Sequence, residues 1–361
     1  MLEDFWSGVG EELARTWVAR VLTPAFAFWV GGAALLWWSS HSDDVAAQGW
    51  LPTLVASATA LGGLPVLVQG ALIVGGLALV AASAAVAERL TVPVLRLLEG
   101  YWTRPAWLYR LLTGYRRWRQ RRVARRVLPL QRRQHIGTLT VPEFGELRRL
   151  RSNQNLDSDR LAELDRKYAA QHLTAWENAR LGRDVAWLRT TPDRDDLGMP
   201  TRLGDVLRAA EHRPAAIYGI DAVVCWNALW QLLPAEIRTE LTAARAALDT
   251  AVRGWLWGAL FLVWTPLSWW AVLVGVGVPL LSYRFGILPR AVTFGELVDT
   301  SYDLHRMKLY DALHLPRPTC PAGERTVTGP RLTAALAGTL VEPGLTYRTD
   351  PPSTAAAPSS G

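Results

Sequence analysis

Between Arg20 and Glu88 the chain carries two formal charges, the adjacent Asp43 and Asp44, and residues 254–283 carry none. Uncharged runs of this length constrain the fold more than any motif does. A helix needs about 20 mostly apolar residues to cross a hydrocarbon core of about 30 Å. Half of the 361 residues are hydrophobic, and they are segregated into these blocks, unlike the even distribution of one globular core.

The opposite extreme lies close by. From Arg104 to Arg133 there are eleven Arg and no acidic residue, so the formal net charge of +7 belongs to one segment and the remainder of the chain is net acidic. Positive-inside places this block in the cytoplasm, and with it the N-terminus and everything after Glu88. The first twelve residues contain Glu3, Asp4, Glu11 and Glu12, where a cleavable signal would be basic.

These patterns predict an all-α integral membrane protein of a bacterial cytoplasmic membrane, multi-pass, with both termini cytoplasmic. The expected order begins with a cytosolic amphipathic helix over 1–20. Two transmembrane helices within 21–88 follow, joined by a short external loop at 39–63. An Arg-rich interfacial helix covers 89–133 and a cytosolic helical domain 134–250. A membrane hairpin takes 251–285, an amphipathic cytosolic helix 286–316 and a disordered tail 317–361. The third uncharged block is the ambiguous one. As a straight helix it would reach about 45 Å, and Pro266 interrupts it. Arg238, Arg245 and Arg253 before it and Arg284 and Arg290 after it place both ends on one side, which favours the hairpin.

In the Arg-rich segment, aromatic and aliphatic residues recur at spacings of three and four, with cations largely elsewhere. Trp107, Arg116, Arg117, Trp118 and Arg119 are therefore expected at the membrane surface, against anionic headgroups. The same cations and rings could stack and neutralise a single-stranded nucleic acid, but a topology determinant touching lipid needs fewer assumptions. Gly254-Trp-Leu-Trp-Gly258 has the small-xxx-small spacing of helix dimers, which leaves a homo-oligomer open.

Two stretches, ERLTVPVLRLLEGYW at Glu88–Trp102 and MPTRLGDVLRAAEHRPAAIYGIDAVVCWNALWQLLP at Met199–Pro234, followed by YDLHRMKLYDALHLP at Tyr302–Pro316, carry a resemblance. They resemble a family of multi-pass membrane proteins of high-GC actinomycete bacteria that has no established activity. The resemblance implies architecture alone. Within the second stretch Arg202, Arg208, Glu211 and Asp221 crowd polar groups around a short helix. That cluster reads as a packed junction or as a docking surface for a protein partner.

No HExxH, GxSxG or Walker lysine is present, and Cys225 and Cys320 fit no metal spacing. No catalytic, cofactor or metal residue is assigned. The expected function is a membrane-anchored scaffold or signalling adaptor that presents the cytosolic helical domain to a protein partner. The alternative is a subunit of an oligomeric transport or permeation complex, although a pathway would require ionisable residues within the spans.

Overall fold

The computed structural model describes residues 23–102, 104–136, 139–152, 158–169, 173–192 and 194–339. The helix expected over 1–20 and the last part of the expected tail, 340–361, lie outside them. Among the described residues every regular element is a helix. Three are long and apolar enough to cross a membrane: Val66–Glu99, Ala235–Trp264 and Trp270–Ala312. The chain forms two compact units, one from residues 23–101 with 234–297, the other from 102–233 with 298–339.

The first unit begins with α1 (Thr23–Ser40), α2 (Ser42–Gln48), α3 (Trp50–Gly62) and α4 (Val66–Glu99). The eighteen residues of α1 reach about 27 Å. It is not among the three helices above, because Trp29, Trp37, Trp38 and two terminal Ser dilute its hydropathy. The segment 39–63, expected as a loop, is helical instead. Gly49, with φ of 88°, turns the chain between α2 and α3. Pro52 then falls in the first turn of α3, where no backbone partner is lost. Asp43 and Asp44 sit in the first turn of α2, where negative charge complements the helix dipole.

The expected break after Glu88 is also absent. α4 continues for 34 residues, about 51 Å, through Pro93 to Glu99, and left-handed Gly100 closes it. The Arg-rich helix accordingly begins at Ala106 and not at 89.

The third uncharged block folds back on itself. α11 (Ala235–Leu260) ends in a tight turn at Phe261–Trp264, and α12 (Trp270–Leu281) returns antiparallel to it. Two glycines permit the approach. A Cβ on Gly258 would lie 2.7 Å from Val278 Cγ1, and one on Gly275 2.6 Å from Leu262. The Ser282 hydroxyl donates to the Ala251 carbonyl at 3.0 Å, tying the arms together. Gly258 of this Gly254–Gly258 spacing thus serves packing within the chain. Phe28, Trp257 and Ala84 form a buried core with Trp29 and Trp264 against it, and Trp29 Nε1 donates to Ser83 Oγ at 3.0 Å.

The second unit comprises α5 (Ala106–Ile136), α6 (Val141–Ser152), α7 (Ser158–Ala169), α8 (Ala175–Arg189), α9 (Arg202–Tyr218) and α10 (Ala222–Leu232). The end of α13 (Leu288–Ala312) and α14 (Gly329–Leu336) complete it. Residues 234–250, expected in the cytosolic domain, belong to the first unit, and the Arg-rich helix belongs to the second. α5 packs along α8 through Val127, Leu173 and Leu181. α6 and α7 close over Leu139, Leu147 and Leu164.

Part of the expected tail is ordered. Residues 321–336 are helical, Leu332 is buried, and Glu324 pairs with Arg306 at 2.8 Å. Richness in Pro, Thr, Ala and Ser points to disorder, but here backbones meet directly. A Cβ on Gly329 would lie 1.9 Å from the Tyr218 carbonyl oxygen and 2.9 Å from that of Glu324. Gly329→Ala is therefore expected to loosen α14, since backbone cannot rotate away as a side chain can. Hydrogen exchange should show α14 losing protection, whereas Gly145→Ala, which meets open space, should leave α14 protection unchanged.

α6 begins with a reciprocal cap. The Thr140 backbone N–H and hydroxyl donate to Glu143 at 2.8 and 2.7 Å, and the Lys167 ammonium adds a contact at 2.9 Å. The Thr140 N–H is the largest cause of a carboxyl held down at about 2. A depressed folded-state pKa stabilises above the ordinary value of 4.5 and is lost as pH falls toward about 2. Protection factors of α6 amides should hold in the neutral range and fall across that acidic window. Thr140→Val should move the fall to higher pH.

Candidate functional site

The centre of the second unit is a buried ion pair between Arg116 on α5 and Asp205 on α9, their side chains 14% and 3% exposed. Asp205 also accepts the Met199 backbone N–H at 2.8 Å. Burial pushes the carboxyl up from its ordinary range, opposed chiefly by the Arg116 charge. Both carboxylate oxygens are engaged, so the pair joins helix to helix and offers no free base.

Arg202, at the start of α9, turns inward beside this pair. It donates to the Thr190 carbonyl at 3.1 Å and to Thr191 Oγ1 at 2.7 Å, and its guanidinium lies 4.7 Å from the Trp187 ring centre. Arg119 covers the same ring at 5.3 Å. Thr201 caps α9 through the Gly204 N–H at 3.0 Å. Asp221 caps α10, accepting from the Val223 and Val224 N–H groups at 2.9 and 3.1 Å.

The predicted docking set therefore separates. Arg202 and Asp221 are spent on structure, while Arg208 and Glu211 form a partly exposed i,i+3 pair at 3.5 Å. The predicted membrane-surface set separates too. Trp107 and Trp118 are 68% and 53% exposed, but Arg116 is buried against Asp205 and Arg119 stacks on Trp187. Arg117 lines an open groove along α5 with Trp118, Arg121, Arg122, Arg125 and Arg126.

A second cationic feature has no counterpart in the sequence reading. Arg189 at the end of α8, Arg194 in the following turn, Arg213 on α9 and Arg325 near α14 converge on one cavity of about 540 Å³. Among the described residues, no carboxylate lines it. Leu197, Ala209, Ala216 and Ile217 give it an apolar lining as well. His212 also lines it, and burial, then the Arg208 charge, hold the imidazole below its ordinary range. These arginines are scattered over 136 residues of chain, so only the fold brings them together. The one sequence signal was the Arg density of 189–213.

Among the described residues, no group of three or more His, Cys, Asp or Glu could hold a metal ion. No protein-family model, curated protein or solved structure matches the chain.

The buried pair makes a measurable prediction. Asp205→Ala leaves Arg116 charged without its counter-ion and is expected to cost about 3–5 kcal/mol. The double change Arg116→Met with Asp205→Leu should recover most of that loss. A double-mutant cycle on thermal unfolding of the detergent-solubilised chain measures the coupling, and strict additivity would disprove it.

Proposed function

We propose that the protein is a membrane-anchored adaptor whose second unit lies on the cytoplasmic leaflet and engages a protein partner. The observation that carries this reading is the two-sidedness of α5. One face, Arg116, Gln120, Val123 and Val127, is taken up by contacts to Asp205, the Pro192 carbonyl and the α8 core. The opposite face runs Trp107, Leu111, Tyr115, Trp118, Arg122 and Arg125 at spacings of three and four, and every member is exposed. Arg122 rests over the Trp118 ring at 5.2 Å. Rings at headgroup depth with guanidiniums reaching phosphates are what binds a helix to an anionic surface.

In this reading the spans anchor the chain in a bacterial cytoplasmic membrane and the Arg block keeps α5 inside. The hairpin of α11 and α12 returns the chain to the same face. Arg208 and Glu211 remain as the polar part of a partner surface.

Two measurements test the proposal. Reporters fused after Ile136 and after Pro316 should both score as cytoplasmic; an external position for the second rules out the hairpin crossing. Nitroxide-bearing lipids in phosphatidylglycerol nanodiscs should quench a fluorophore attached at a cysteine replacing Trp118 or Arg125, but not one replacing Val123. Equal quenching at all three positions would remove the interfacial assignment. For the adaptor role itself, affinity capture from solubilised membranes should return a stoichiometric partner that Arg208→Ala with Glu211→Ala weakens.

A further inference from the structure

We infer that the four-arginine cavity of the second unit binds a small phosphorylated molecule, a ligand that the adaptor reading does not require. Arg189, Arg194, Arg213 and Arg325 come from four separate stretches of chain and line one cavity of about 540 Å³. Such a volume falls within the range of small-molecule sites, about 300–1,000 Å³. Two of the arginines have counter-ions: Arg194 with Asp196 at 2.8 Å and Arg213 with Asp299 at 3.4 Å. The first of these pairs is solvent-exposed, which makes it weak and easily exchanged. Arg189 and Arg325 make no ion pair among the described side chains.

Like charges held around one cavity repel, and an anion placed among them removes that repulsion while gaining several charge-assisted bonds. The guanidinium fork matches phosphoryl oxygens two at a time. A single carboxylate would satisfy one fork; a phosphoryl group, with three oxygens and nearly two charges, can engage several. The apolar lining residues Leu197, Ala209, Ala216 and Ile217 suit the part of the ligand that carries no charge. Cationic and apolar lining together favour an organic phosphate over the inorganic ion.

Titration calorimetry on the full chain in zwitterionic detergent, without phosphate buffer, tests this with phenyl phosphate and inorganic phosphate as probes. Phenyl phosphate is expected to bind saturably, one per chain, and more tightly than inorganic phosphate. Arg189→Gln and Arg325→Gln, which break no ion pair among the described side chains, should each weaken it about tenfold or more with unchanged melting temperature. Arg122→Gln with Arg125→Gln, on the exposed face of α5, should leave it unaltered. Absence of saturable binding overturns the inference, as does an equal loss in the α5 variant. Binding of phosphatidylglycerol nanodiscs that depends on Arg189 and Arg325, without binding of phenyl phosphate, also overturns it in favour of a lipid headgroup. All of these readouts are independent of reporter position and of partner capture, so either proposal can fail alone.

Discussion

The buried pair of Arg116 and Asp205 governs how the second unit presents itself. A helix as rich in arginine as α5 has no apolar stripe strong enough to fix its rotation by hydrophobic burial alone. One guanidinium drawn inward by a buried carboxylate fixes it, and Val123 and Val127 then fall onto the same face. Everything on the opposite side, from Trp107 to Arg125, is exposed as a consequence. The pair is costly to desolvate, and its benefit lies in specifying one arrangement over others. The Met199 N–H bond extends this control to the turn that leads into α9.

The first unit relies on different physics. Lipid supplies no hydrophobic drive between helices, so close backbone approach and ring packing must hold them. Gly258 and Gly275 let α11 and α12 touch, and Gly32 lies where a Cβ would fall 2.2 Å from the Trp264 ring. Phe28 stands 5.2 Å from Trp257 and 5.6 Å from Trp264, so the small residues exist to admit the large ones. The Trp29 indole N–H donates to Ser83.

Legibility in the sequence followed the range of the interactions. The helical class, the long apolar helices and the Arg-rich helix were readable, because each depends on neighbours within one or two turns. Boundaries were less so. Nothing local marks Glu88 as mid-helix, and the Ser, Gly and Pro of 39–63 looked like a loop although Pro52 occupies a first turn that tolerates it. The capping pairs Thr140/Glu143 and Thr174/Glu177 are legible as T-x-x-E. The Arg116–Asp205 pair was not legible, and the arginine cavity showed only as the Arg density of 189–213. Their members lie up to 136 residues apart, and in sequence each is one more arginine among many.

The eleven arginines of 104–133 also change meaning. Read as a block, they are a topological signal that any sufficiently basic segment would give. In the folded unit they are no longer equivalent. Arg116 neutralises a buried carboxylate, Arg119 covers an indole, and Arg122 and Arg125 face outward. Lysine could replace the outward ones for topology, since only charge counts there. At 116 and 119 it could not, because a planar guanidinium both forks to a carboxylate and stacks on a ring. Choosing arginine throughout lets one stretch of chain carry a dense positive charge and also hold the helices of the second unit together. The positive charge of the block is thus partly withdrawn into the fold, and only the remainder stays exposed.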